Sequence, residues 1–346
     1  MKILSVGNMD GLSNTCLHRH WALEKIADEI DVVNTSGFTS LWYRIAYHLF
    51  LYRLPVRIPE NQKENEQIIK KVSSIHYDII WIDKGVTIYP ETLKYIKEKS
   101  PQTIIVSYSP DNMALRHNQS QQYLECIPLY DFIITNKSYI LNDMRKLGAK
   151  DIRFINNSYE SSFHYPRILT NKDYKQLGGD IGFVGAWEKE RCKSILYLAK
   201  HGLNVRVWGG GKWLKYKGIY PNLVIENKGL YSEDYSKSFQ AFKISLCFLR
   251  KKNYDQQTTR TVEIPACGGF MMAERTEEHK AMFEEGKEAE FFSSNEELLE
   301  KCQYYLIHEK ERKQIADTGL RRCQISGYSN ENTLRNVIDS ILNEKS

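Results

Sequence analysis

The densest run of residues able to do chemistry lies between Asp255 and Phe292. Within it, the stretch from Arg260 through Thr261, Glu263, Gly268 and Gly269 to Met271 sets an arginine and a carboxylate at the start of a helix, then two glycines, then an apolar strand. A helix N-terminus carries unpaired N–H groups and partial positive charge, and glycines let a ligand approach the backbone, so such a place attracts phosphate. Arg260 would add charge-assisted hydrogen bonds to a diphosphate, and Glu263, one turn on, could accept from ribose hydroxyls. A surface Arg/Glu pair followed by glycines that merely turn the chain fits the same spacing. The loop Arg250 to Asn253 precedes this helix, and its Lys251 could cover donor phosphates or simply be solvated.

Other chemistries lose support because their residues are missing. The sequence has no HExxH, no GxSxG and no GxxxxGK[ST], which speaks against metalloprotease, α/β-hydrolase and P-loop readings. No two aspartates are spaced Asp-x-Asp to hold a divalent metal on a diphosphate, so the expected chemistry uses no metal and no other cofactor. The glycines form no GxGxxG either.

In the N-terminal half Asp83 and Asp111 each follow a strand-like run, which puts them at the carboxyl edge of a sheet, where α/β proteins bind ligands. Either could orient an acceptor hydroxyl or act as a base; capping the next helix is the commoner role of such an aspartate. His18 and His20 flank Arg19 on different sides of the first helix, so one is expected to face a cleft and the other the surface. His18 is the third candidate base.

These residues need elements to hold them. Strand-like runs at Lys2–Val6, Ile79–Ile82, Ile104–Ser107 and Phe132–Thr135 alternate with helical patterns at His18–Glu29, Asn65–Ile75, Pro90–Lys99 and Ser138–Leu147. After a polar, turn-prone stretch from Asn156 to Gly179 the pattern restarts. A strand ending in Gly185 leads to a helix at Lys189–His201 and strands at Val205–Trp208, Leu223–Ile225, Ile244–Phe248 and Gly269–Ala273. Short apolar strands separated by helices imply parallel sheets covered on both faces. The expected fold is α/β, two Rossmann-like lobes facing a central cleft, one over 1–165 and one over 176–328, with a C-terminal helix within 329–346 that could pack back on the N-terminal lobe. At 346 residues the chain is long enough for two such domains.

Composition is that of a globular protein, with 42% hydrophobic and 26% charged residues. A net charge of +5, scattered along the chain, is too dilute for a nucleic-acid stripe, so no nucleic-acid partner is expected. Seven cysteines without a CxxC pair and a start without a cleavable apolar leader lead us to expect a cytoplasmic protein with reduced thiols. The aromatic segment from Trp42 to Tyr52 is too short and too charged to span a bilayer; it could lie on the inner face of a membrane, though packing on its own lobe is the commoner fate of such a helix. Oligomeric state is not readable.

A family resemblance adds to this. Arg260 to Glu274, with Glu278-His279 and Phe283 to Glu288, resembles the C-terminal signature of the CgeB-like (spore maturation) glycosyltransferases, as do Asp180 to Trp187 and Val207 to Trp213. The N-terminal half is similar at Val6-Gly7, Cys16 to Leu23, Asp83 to Gly85 and Ser109 to Asp111. The resemblance implies the GT-B fold and transfer of a sugar from a nucleotide diphosphate-sugar to a hydroxyl acceptor, which could be a glycan, glycolipid, protein or metabolite. It makes 1–165 the acceptor domain and 176–328 the donor domain, and implies donor-binding roles for Gly185, Trp187, Gly209, Gly210, Thr261, Gly268 and Gly269, with Arg191 or Lys251 as further cations, and acceptor contacts near Gly7, Asp83 and Asp111. That family is similar in turn to retaining transferases with two glutamates separated by seven residues. Glu263 matches the later one; the earlier falls on Asp255, a shorter carboxylate and a departure from the pattern. Retention would let the departing phosphate take the acceptor proton. Two rival readings stand beside it, a nucleotide-sugar epimerase and a non-catalytic nucleotide or sugar binder of surface-glycan or spore-coat assembly.

Overall fold

A computed structural model of the chain describes residues 1–37 and 39–345. They divide into two compact units, one of Met1–Asn156 together with the chain from Leu334 onward, the other of Asn157–Thr333.

The first unit carries strands β1 (Lys2–Gly7), β2 (Glu29–Asn34), β3 (Ile79–Asp83), β4 (Ile104–Ser109), β5 (Phe132–Thr135) and β6 (Ile152–Phe154). They form a parallel sheet in the order β2-β1-β3-β4-β5-β6, with Ile3 of β1 in register with Ile30 and Ile79. Because side chains alternate across a strand, Leu4, Val6, Ile80 and Ile82 build the core on one face, while Ile3, Ile79 and Trp81 build it on the other. The second face is closed by Leu334, Val337, Ile338 and Ile341 of the final helix, Asn330–Lys345.

The second unit carries β7 (Gly179–Val184), β8 (Val205–Trp208), β9 (Leu223–Ile225), β10 (Phe242–Cys247), β11 (Met271–Glu274) and β12 (Glu290–Phe292), again all parallel, in the order β12-β11-β10-β7-β8-β9. The chain runs outward from β7 to β9, then returns past β7 to lay down β10. The doubly wound Rossmann order results, and its switch point, where such sheets bind ligands, lies between the carboxyl ends of β7 and β10. In the first unit the equivalent point lies between β1 and β3. Close packing demands glycine at Gly182: a Cβ there would sit 2.2 Å from the Phe242 ring.

Several boundaries differ from the sequence expectation. The first helix runs Thr15–Ile26, three residues early, because the Asn14 side chain accepts from the Cys16 N–H, and it ends early because Glu29 opens β2. The polar stretch before Gly179 contains a helix at Asn171–Leu177, opened by a capping box between Thr170 and Asp173. Strands β2, β6 and β12 and the helix Ser232–Ala241 were not expected.

Candidate functional site

The site grows from the carboxyl ends of β7 and β10. Arg260, first residue of the helix Arg260–Ala266, sends its Nε back to the carbonyl of Val184 at the end of β7, 2.7 Å away. That bond fixes the guanidinium at the switch point and leaves its two terminal nitrogens without a protein acceptor among the described residues. Burial opposes its charge, but Tyr235, Glu263 and Cys247 outweigh that and hold its pKa above the usual arginine value.

Arg191 comes to the same place from the helix Lys189–Lys200. It is buried, and its partners are all backbone carbonyls: Leu249 at 3.2 Å, Ala186 at 3.2 Å and Phe248 at 3.4 Å. Burial, followed by the charge of Arg260, pushes its pKa down to about 10. Two mutually repelling guanidinium groups beside the β7 loop leave a local surplus of positive charge that an anion would relieve.

Gly185 lies beside them. A Cβ on it would meet the Phe183 ring at 2.7 Å and Arg260 Nη2 at 3.4 Å. Its carbonyl accepts from Trp213 Nε1 at 3.0 Å, and a Cβ on Gly209 would lie 2.3 Å from that same oxygen. The loops after β7 and β8 therefore touch backbone to backbone, which explains both glycines. Gly210 is exposed, and Trp187 is half-buried under the Lys212 ammonium, 4.8 Å from its ring centre.

Glu263 is not half of a surface pair. It is buried, its Oε2 accepting from the Tyr235 hydroxyl at 2.6 Å and its Oε1 facing His164 Nε2 at 3.5 Å. Burial first, then Glu263, pushes the Tyr235 pKa well up, so this hydroxyl stays a donor.

Other candidates lie elsewhere. Gly268 and Gly269 follow the far end of the Arg260 helix, not its N-terminus. Gly268 takes φ +77° after the last turn and Gly269 packs against the Phe239 carbonyl, where a Cβ would come within 2.6 Å. Gly268 lines a cavity of about 600 Å³ with Gly179, Asp180 and Phe242, at the amino ends of the strands. Both glycines turn the chain into β11, and the expectation that they admit phosphate is corrected. Thr261 is also buried; its hydroxyl accepts from the Thr258 N–H and bonds His279 Nε2 at 2.8 Å, so it braces the helix start. Lys251 is exposed and ion-paired with Glu274. Asp255 is buried, its N–H on the Arg250 carbonyl at 3.3 Å.

In the first unit Asp83 ends β3 and accepts from Arg19 Nε at 2.6 Å and Nη2 at 2.9 Å, both side chains buried. The Arg19 guanidinium also lies 4.2 Å from the Tyr108 ring centre. Gly7 packs against this pair; a Cβ would lie 2.9 Å from that of Asp83. Asp111 is ion-paired with Lys84 at 2.7 Å. Neither His18 nor His20 reaches the surface, which corrects the expectation of one exposed histidine: His18 Nε2 meets the Leu12 carbonyl at 2.7 Å, and His20 lies 3.3 Å from Glu24. Among the described residues no three His, Cys, Asp or Glu side chains gather as a metal site would need.

Sequence reasoning missed Arg19, Tyr235 and His164. Arg19 was legible in principle, as a cation one helix after a glycine turn; Tyr235 and His164 lie far from Glu263 in the chain and carry no motif.

Two doubly wound parallel sheets in one chain are the GT-B arrangement, and solved structures share that fold over nearly the whole chain. HepE of Anabaena in complex with UDP-glucose is 14% identical with a TM-score of 0.65, covering 99% of this chain and 100% of its own. A glycosyltransferase of Rickettsia africae ESF-5 is 13% identical at 0.64, covering 99% and 98%. Sucrose-phosphate synthase of Thermosynechococcus elongatus is 12% identical at 0.62, also covering 99% and 98%. In sequence, residues 191–339, less than half of the chain, match a family described as glycosyl transferase-like. No curated protein matches it in sequence.

Proposed function

We propose that the protein transfers a sugar from a uridine diphosphate-sugar to a hydroxyl acceptor, with the diphosphate held at the β7/β10 switch point by Arg260 and Arg191. The observation that carries this is the Arg260 guanidinium, anchored through Nε to Val184 with its terminal nitrogens left for a ligand. As the bond from the anomeric carbon to the diphosphate breaks, negative charge grows on the leaving oxygen, and two preorganised guanidinium groups stabilise it without reorganising. This charge is the reason we assign no metal to the step. Glu263, oriented by Tyr235 and His164, accepts from the ribose. Retention of configuration is part of the proposal, the departing phosphate taking the acceptor proton; the family resemblance supports it. HepE, whose structure holds UDP-glucose, supports uridine as the first base to try.

A thermal-shift screen of UDP, GDP, dTDP and CMP sugars tests the reading, since a ligand of the native state alone raises the melting temperature. A UDP-sugar should give the largest shift, unchanged by EDTA, and loss of that shift in Arg260→Ala should accompany loss of transfer. An epimerase from Listeria monocytogenes shares the fold with a TM-score of 0.56. Conversion of donor to an epimer with no acceptor present would replace our reading with that one.

A further inference from the structure

A helix outside the donor site exposes what a soluble surface normally hides. Leu41–Leu51 is capped at Ser40, whose hydroxyl accepts from the Tyr43 N–H. Its inner face is pinned to the first unit. Ala46 and Phe50 are buried, the Tyr47 hydroxyl donates to the His117 carbonyl at 2.6 Å, and Arg116 donates to the Phe50 carbonyl at 2.8 Å while lying over the Phe50 ring. The outer face is apolar and open: Leu41 is 73% exposed, Trp42 70% and, just past the helix, Tyr52 81%, with Ile45 and Leu54 also exposed. Helical spacing aligns Leu41, Ile45 and His48 along one stripe that Tyr52 continues at the helix end. Exposed Arg44, His48 and Arg53 accompany it, and no acidic residue occurs between Asp31 and Glu60.

A patch meant for a protein partner usually has a mixed polar rim, whereas along this segment the exposed aromatic and aliphatic side chains are interspersed with basic residues and no carboxylate. We infer that this helix docks on an anionic phospholipid surface, lying in the interface plane with Leu41, Trp42, Ile45 and Tyr52 toward the acyl chains and Arg44 and Arg53 on the headgroups. The helix is anchored before it meets lipid, so docking needs no unfolding. The inference is independent of the donor assignment.

The test is co-sedimentation of the full chain with vesicles of phosphatidylcholine alone or mixed with phosphatidylglycerol. Binding should rise with phosphatidylglycerol and fall with added salt. Trp42→Glu with Ile45→Glu should lower partitioning at least about tenfold, and Arg44→Gln with Arg53→Gln should lower it about fivefold per cation on the anionic vesicles only. Trp42 is the exposed tryptophan among the described residues, so vesicles should shift its emission to the blue, a change absent from Trp42→Phe. Both double variants alter exposed positions and should keep the melting temperature and the UDP-sugar shift. The inference fails if wild type does not bind vesicles, if the Glu variants bind equally well, or if those variants instead abolish a dimer in sedimentation while wild type ignores lipid.

Discussion

Arg260 is where charge and geometry meet most sharply. Its Nε is held by Val184, so Arg260→Ala removes one backbone contact from the fold and, on the proposed function, a donor pair from the diphosphate. Transition-state stabilisation should fall by about 2–4 kcal/mol, read as a drop in kcat/KM of roughly 30- to 1000-fold with a native circular-dichroism spectrum. Arg260→Lys should recover little of that loss, because a lysine cannot both hold the Val184 carbonyl and present a flat fork to phosphate. Equal activity of the Lys variant would mean that charge alone matters. Glu263 gives a contrasting case, a carboxylate whose orientation depends on the Tyr235 hydroxyl. Tyr235→Phe leaves that buried oxygen short of a donor, and urea unfolding should show about 1.5–3 kcal/mol less stability. A change confined to KM, with stability intact, would show that the hydroxyl serves ligand rather than fold.

At the scale of elements, the Arg260 helix is tied to β11 through a buried histidine. His279 Nε2 meets Thr261 in the first turn, and Nδ1 donates to the Glu274 carbonyl at 2.6 Å. Burial lowers its pKa to about 4, from an unfolded value near 6.5. The native state thus binds fewer protons than the unfolded chain between those values. The contribution is fully present above pH ~6.5 and is lost as pH falls toward 4; its size is on the order of 3 kcal/mol. His279→Gln should be less stable than wild type at pH 7, and the difference should shrink by pH 4.5; parallel stability curves would remove His279 from the account. This tie also shows what a sequence can and cannot disclose. Strand-then-glycine openings at Gly7 and Gly185 and the apolar runs of β3, β5 and β8 were legible, because a buried parallel strand leaves a local signature. Strands β2, β6 and β12 were not: β2 reads Glu-Ile-Asp-Val-Val-Asn, an edge strand whose partly exposed faces carry carboxylates. Arg260 and Glu263 were legible as a pair, yet their separation into one anchored cation and one buried carboxylate depends on Val184, Tyr235 and His164. The two glycines after them were misread because a seven-residue helix, about 10 Å long, puts its C-terminal glycines at the wrong end for phosphate.

For the whole molecule, the chain leaves the first unit at Asn156 and returns to it at Leu334, so the core begun first is completed last. The final helix supplies Leu334, Val337, Ile338 and Ile341 against Ile79, Trp81, Ile104 and Val106, covering one face of β3 and β4. Those strands are apolar on both faces, as parallel strands are, and without the helix this face would keep only the cover of Ala22, Leu23 and Ile26 from the first helix. Ile338 is fully buried, and truncating it should cost about 2–5 kcal/mol through lost transfer energy and the cavity left behind. The loss should be local. The second unit keeps its own clusters around Ile181, Phe183 and Leu246 and around Val262, Ile264 and Phe291, none of which includes a residue of this helix. Hydrogen exchange on Ile338→Ala should therefore show faster amides in β3 and β4 while β7 and β10 keep wild-type protection, and the UDP-sugar shift of the second unit should survive. Equal loss of protection in β7 and β10 would mean that the two units unfold as one, and that their stabilities cannot be assigned to separate cores.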